Sequence, residues 1–161
     1  MIHVRQANPL DARQMADLLN EIIAKGGTTA RTTPITADEM RSEMRLYPGQ
    51  TAWILAEDDN AHVLGFQHIG PHPELPPEAA DIATFVRLGQ TGLGIGSQLF
   101  EATKTLARRL GYERINATIR ADNESGLTYY QSKGFEDYRR LPDTVLADGT
   151  TVDRLCKRYD L

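Results

Sequence analysis

Gly92-Leu93-Gly94-Ile95-Gly96-Ser97 is the stretch on which the reading of this chain turns. An apolar run, Ala79 to Val86, precedes it, and this reads as a buried strand. Behind it, Leu99, Phe100, Leu106 and Leu110 recur at helical spacing, which predicts a helix over 97–110 with one buried side. The loop therefore joins a strand to a helix. Glycine lets a backbone turn tightly and lie close to a ligand. The first N–H groups of the helix have no intrahelical partner, and with the helix dipole they form an anion site suited to a pyrophosphate. A tight turn without a ligand needs fewer than three glycines at alternate positions, so the phosphate site is the favoured reading. No Gly-Lys-Ser or Gly-Lys-Thr follows, which excludes a P-loop. The dinucleotide fingerprint fits poorly: the spacing is G-x-G-x-G, and Ser97 stands where the third glycine would fall.

Outward from the loop, the elements alternate. Gly111 caps the helix, and Ile115, Ala117 and Ile119 alternate as a strand. Asn123 to Lys133 reads as a short helix ended by Gly134, and Phe135–Leu141 and Val152–Tyr159 as two strands around Asp148-Gly149. Upstream, Thr51–Glu57 and Val63–Gly70 flank Asp58-Asp59-Asn60 as a hairpin, and Pro71 to Pro77 holds four of the eight prolines in a rigid loop. Ile2 and Val4 open the chain as a strand, and Asn8-Pro9 starts a helix with Met15, Leu18, Leu19, Ile22 and Ile23 on its apolar face. Gly26-Gly27 ends that helix, and the polar Thr28–Pro34 reads as surface. Thr36 with Glu39 matches a capping box for a second helix, with Met40, Met44 and Tyr47 on one face. The order is β-α-α-β-β-β-α-β-α-β-β. Hairpins and a βαβ unit together imply an α/β (α+β) fold with a mixed sheet and helices on both faces.

The 161 residues suit one domain, 1–161, with no linker or repeat. A net charge of −4 with dispersed basic residues argues against a nucleic-acid partner, and the few aromatics form no stacking platform. No run approaches a membrane span, and the N-terminus reads as a strand rather than a signal peptide. The lone Cys156 excludes an intrachain disulfide and reads as a small apolar filler in a late strand; cytoplasm is the expected location. His62, His68 and His72 match no zinc spacing, so no metal is expected; His68, on a central strand, is a weaker candidate for substrate contact.

On these residues the chain resembles the GNAT superfamily of N-acetyltransferases. The loop resembles the family's Arg/Gln-x-x-Gly-x-Gly/Ala motif, with Gly94 and Gly96 as the paired glycines and Thr91 at the Arg/Gln position. Asn123, Tyr130 and Gly134-Phe135 resemble its N-x6-Y-x3-G-F signature. The layout is most similar to the phosphinothricin and amino-acid acetyltransferase subgroup. The resemblance implies a mostly antiparallel sheet of about seven strands and acetyl-CoA as cosubstrate. It implies cofactor contacts at Phe85, Val86, Thr91, Gly92, Leu93, Gly94, Ile95, Gly96, Ser97, Asn123 and Tyr130. It also implies a small amine as acceptor and a homodimer. Two other readings stay open: acetylation of a protein or peptide, and a module that binds acetyl-CoA without turnover.

Acetyl transfer by direct attack in a ternary complex needs a free amine, a stabilised carbonyl oxygen and a leaving thiolate. An alkyl amine with a pKa near 10.4 is mostly protonated at neutral pH, so a carboxylate must take its proton. Asp81, which matches by position a glutamate of the phosphinothricin-type enzymes, is the candidate base; an edge carboxylate is the competing reading, and Glu74 and Glu78 are lesser candidates. Backbone N–H groups near Phe85 and Val86 would hold the oxyanion, and Tyr130 would serve the thiolate. If the acceptor carries a carboxylate, Arg31 or Arg87 would meet it; a polyamine would favour the acidic Glu74, Glu78 and Asp81.

Overall fold

The computed structural model describes residues 1–90 and 92–161. Among these residues seven strands form one sheet in the order β1-β2-β3-β4-β5-β7-β6. They are β1 (His3–Gln6), β2 (Ala52–Glu57), β3 (Val63–Gly70), β4 (Ala79–Val86), β5 (Arg114–Arg120), β6 (Glu136–Val145) and β7 (Thr151–Asp160). Among the described residues only β4 and β5 pair in parallel; the other pairs are antiparallel. The mixed, mostly antiparallel seven-stranded sheet agrees with the sequence reading.

Four α-helices among the described residues cover the two faces: α1 (Ala12–Lys25), α2 (Ala37–Met44), α3 (Ile95–Arg109) and α4 (Glu124–Ser132). Period-two alternation assigns strand residues to opposite sides. Ile54, Ala56, Ile69, Ala80, Ile82, Ile115 and Ala117 pack with Leu99, Phe100 and Ala107 of α3 and with Tyr130 of α4. Leu55, Val63 and Phe66, on the other face, pack with Met15, Leu18, Leu19 and Ile22 of α1 and Met40 of α2. The sheet is thus a partition between two apolar clusters.

Local chemistry sets the element ends. Thr36 and Glu39 form the expected capping box of α2. Asn8 caps a short 3-10 turn, Pro9–Asp11, so α1 itself begins three residues later than Pro9. Tyr47 does not extend the α2 face: the helix ends at Met44, and Tyr47 is exposed with φ 52°. Helix α3 begins at Ile95, two residues before the expected start, because Gly94 at φ 81° turns the chain directly into it. The last hairpin is longer than its apolar pattern suggests: after an irregularity between Leu141 and Thr144, Thr144 and Val145 still pair with Val152 and Thr151 of β7.

Candidate active site

Strands β4 and β5 are paired only at Ala79↔Arg114, Ala80↔Ile115 and Asp81↔Asn116. Beyond that point β4 keeps its partner β3 as far as Val86, while β5 pairs with β7. The two strands part, and the sheet is split by a slot. The N–H of Arg87 donates to the Leu64 carbonyl at 2.8 Å. By alternation Phe85 also turns its backbone to β3, and Val86 turns its N–H toward the slot. Phe85 reaches the cleft through its side chain instead, packed on Phe66 with ring centroids 5.1 Å apart.

The opening belongs to one large cleft that runs through the sheet. On one face it is lined by Gly92, Gly94, Ile95, Gly96, Ser97, Asn123, Tyr129, Tyr130 and Lys133. On the other lie Arg31, His72, Glu74, Asp81, Asn116, Thr118, Tyr138, Arg139, Arg154 and Cys156. Leu93, 60% exposed, stands outside the lining, and Thr91 lies outside the described residues.

At the start of α3, Gly94 makes no side-chain cap, and the first intrahelical bond is Gln98 N to Gly94 O at 3.1 Å. The N–H groups of Ile95, Gly96 and Ser97 precede that bond and face outward together. The Nζ of Lys133 donates to the Ser97 hydroxyl, so an ammonium stands at the positive end of the helix dipole. Such a placement repels unless an anion joins it. Gly92 and Gly94, at φ 84° and 81°, supply conformation, whereas Gly96 supplies space: a Cβ there would lie 2.6 Å from the Tyr129 ring.

Tyr130 is 6% exposed, and its hydroxyl lies 2.7 Å from the Thr84 hydroxyl. Burial raises its phenol pKa well above the ordinary tyrosine value, and the Thr84 hydrogen bond works against that rise. Tyr129, beside it, donates to the Gly96 carbonyl at 2.7 Å. Asn123 caps α4 by accepting from Gly126 N at 3.0 Å, and its amide donates to Thr28 O at 2.9 Å. The Arg120 guanidinium donates to Thr29 O at 3.1 Å, so the segment after α1 is tied to β5 and α4 at the cleft's edge.

Asp81 lies on the opposite face of β4 from Thr84. Its Oδ1 accepts from Asn116 Nδ2 at 2.9 Å, and the Tyr138 hydroxyl donates to Asn116 Oδ1. Burial raises the Asp81 carboxyl pKa; the Asn116 hydrogen bond and the charges of His72 and Arg154 oppose the rise. Arg31 lines the same side and pairs with Glu43. Arg154 also lines it, its Nε 3.1 Å from Thr144 Oγ1.

The structure does not bring Arg87 to the cleft: its guanidinium donates to Val63 O at 3.0 and 2.8 Å and lies 3.5 Å from Glu21. His68 also stays away. It stacks on Trp53 with ring centroids 4.0 Å apart, and burial lowers its pKa to about 4, so it remains neutral. Glu78 pairs with Arg114 at 3.2 Å, whereas Glu74 lines the cleft. Cys156 is buried, as a filler would be, yet borders the cleft 3.7 Å from Thr118 Oγ1. Asn116, Thr84, Gln67 and Lys133 went unnoticed in the sequence. Lys133 had one legible signal, its place directly before Gly134-Phe135; the other three depend on strand register.

The model of the family described as "Acetyltransferase (GNAT) family" matches residues 17–135. Among curated relatives, "Putative phosphinothricin acetyltransferase YwnH" of Bacillus subtilis (strain 168) is 27% identical over 164 residues, 98% of this chain and 94% of that protein. The phosphinothricin N-acetyltransferase of Streptomyces viridochromogenes is 21% identical over 136 residues, 83% of this chain and 74% of that protein. Among solved structures, a GNAT superfamily phosphinothricin acetyltransferase from Sinorhizobium meliloti, in complex with AcCoA, superposes with a TM-score of 0.88 at 20% identity. That match covers 99% of this chain and 88% of the other, and it speaks to the fold.

Proposed function

The chain belongs to the acetyltransferase (GNAT) family, and from that premise we propose that it transfers acetyl from acetyl-CoA to the primary amine of a small, amino-acid-like molecule. One observation carries this reading. The slot between β4 and β5 has a phenol on one face, at Tyr130, and a carboxylate on the other, at Asp81. A donor for the leaving group and a base for the nucleophile thus stand on opposite sides of a single opening. A module that only bound the cofactor would need neither.

The residues fit acetyl-CoA. The three outward N–H groups of α3, with Lys133, suit the pyrophosphate, and the slot suits the pantetheine arm. Gly92, Gly94, Ile95, Gly96 and Ser97 would follow the phosphates through their backbone. When bound, acetyl-CoA supplies an acetyl group activated as a thioester. Asp81 takes the proton of the incoming ammonium, directly or through a water. The Val86 N–H donates to the carbonyl oxygen as that oxygen gains charge. Tyr130 donates to the sulfur as the C–S bond breaks and the thiolate leaves. On this reading Asn123 acts by holding the segment at Thr28 rather than by touching the cofactor.

The acceptor side carries Arg31, Arg139 and Arg154, cations able to meet a carboxylate, and this supports an amino-acid-like substrate over a polyamine. The relatives' names point the same way. Thr28 and Thr29, tied down by Asn123 and Arg120, border the cleft, and a fixed border there is in keeping with a small acceptor rather than a peptide. A cytoplasmic single-domain enzyme that pairs as a homodimer belongs to the same proposal. Thiol release from acetyl-CoA, followed with phosphinothricin, methionine sulfoximine, methionine, polyamines and aminoglycosides, tests it. Turnover with the amino-acid-like members is the expected result. Turnover confined to peptides, or binding with no turnover on any amine, would overturn it.

A further inference from the structure

A chain of polar groups runs from α3 along one face of the sheet to Tyr130. Gln67 of β3 is fully enclosed, yet every polar atom of its amide has a partner. The Thr103 hydroxyl donates to Gln67 Oε1 at 2.6 Å. Gln67 Nε2 lies 2.8 Å from the Tyr129 hydroxyl and 3.1 Å from Thr84 Oγ1. Thr84 Oγ1 lies 2.7 Å from the Tyr130 hydroxyl.

Counting hydrogens gives the chain a direction as far as Thr84. The Gly96 carbonyl can only accept, so Tyr129 spends its one hydroxyl hydrogen there. The Gln67 atom facing Tyr129 must then be a donor, which sets the amide nitrogen toward Tyr129 and Thr84. Both of its hydrogens are used, and Thr84 accepts one of them. Thr84 keeps a single hydrogen, and the Tyr130 hydroxyl lies beside it; either oxygen of that pair can be the donor. With Tyr130 donating, Thr84 accepts twice, which its two lone pairs allow, and the hydrogen left over is the threonine's. With Thr84 donating, the hydrogen left over is the phenol's, free to point into the cleft that both residues line. Only the second setting leaves Tyr130 a proton to deliver.

We propose that Thr84, oriented by Gln67 and Thr103, is a positioning residue that donates a hydrogen bond to Tyr130 and thereby aims the tyrosine's proton at the leaving sulfur. This rests on the reading of Tyr130 as the leaving-group donor. In that step the phenolic O–H bond breaks and an S–H bond forms on CoA. The electron pair of the O–H bond stays on Tyr130 Oη, where the Thr84 hydrogen bond stabilises it. Thr84 transfers no proton, and the phenolate regains one from solvent once the products leave. The need for such a donor is physical: burial makes the tyrosine reluctant to ionise, and a hydrogen bond to its oxygen offsets part of that.

The test is a double-mutant cycle read in kcat. Thr84→Val, near in shape, should lower kcat about tenfold with little change in KM for acetyl-CoA, and Thr84→Ser should restore most of it. In the Tyr130→Phe background, Thr84→Val should change kcat by no more than about twofold, because its effect passes through a hydroxyl already absent. Should Thr84→Val fail to fold, Thr84→Cys, a weaker donor of similar size, carries the same comparison. Multiplicative losses in the double variant would overturn the proposal and leave Tyr130's role standing. So would a Thr84→Val enzyme with unchanged kcat while Tyr130→Phe is slow. A Tyr130→Phe enzyme with normal kcat would overturn both.

Discussion

Tyr130 presents its hydroxyl to the cleft from a ring enclosed by Tyr129 and Phe135, each with its centroid 5.0 Å away. Tyr130→Phe keeps those ring contacts and deletes only the donor. We expect kcat to fall by about 10²–10⁴ with acetyl-CoA affinity nearly unchanged, measured by steady-state kinetics and calorimetry. Asp81 calls for a different measurement. Burial raises its folded pKa above the unfolded value, so the native state binds the proton more tightly than the unfolded chain. Its contribution to stability is therefore greatest at acidic pH. It is lost as pH rises from the ordinary carboxylate range through the raised value. Asp81→Asn keeps an oxygen able to accept from Asn116 and removes that loss. The variant should be more stable than wild type at neutral pH and about equal to it in acid, as read from urea midpoints across pH. Its kcat/KM should drop by about 10²–10⁴, and the acidic limb of the pH profile that Asp81 supplies should vanish. An unaltered limb would take Asp81 out of the proton path. The type and position of both residues were legible in the sequence. Their opposite faces were not, because a face is set by strand register and helix docking rather than by a motif.

Helix α3 shows how one element serves packing and binding at once. Its Leu99, Phe100 and Ala107 enter the core, while its N-terminus stays open beneath Lys133. Lys133→Met keeps the length of the side chain and removes the charge. Acetyl-CoA should then bind about tenfold more weakly, about 1.4 kcal/mol, with a smaller dependence on salt, as titration calorimetry would record. Gly96→Ala probes the packing side. The added Cβ would meet the Tyr129 ring at 2.6 Å and push on a residue bonded to Gln67. Overpacking of this kind costs about 1–3 kcal/mol, to be read in urea denaturation. The three glycines looked like one phosphate motif in the sequence. The structure divides them: two fit φ values that other residues avoid, and one makes room for an aromatic ring contributed by a helix more than 30 positions away.

At the scale of the whole molecule, the sheet separates two apolar clusters and opens at the one place where parallel pairing ceases. A ligand seated in that opening would bridge β4, β5, α3 and α4, and it would bind the folded state alone. Acetyl-CoA at 100 times its Kd should add about 2.7 kcal/mol and raise Tm by roughly 5–11 °C for a chain of this size. A melt that does not move would argue against the slot as its site. The order of the elements, the capping box at Thr36, the glycine-lined entry to α3 and the candidates Asp81 and Tyr130 could be read from sequence alone. Each depends on local periodicity, turn chemistry or a short motif. Tertiary structure alone decided that Arg87 turns away to Val63 and Glu21, that Asn116 holds Asp81, and that Thr84 and Gln67 lead to Tyr130. These outcomes depend on which residues stand side by side across strands distant in the chain. A one-residue slip in that register would send every one of those side chains to the other face.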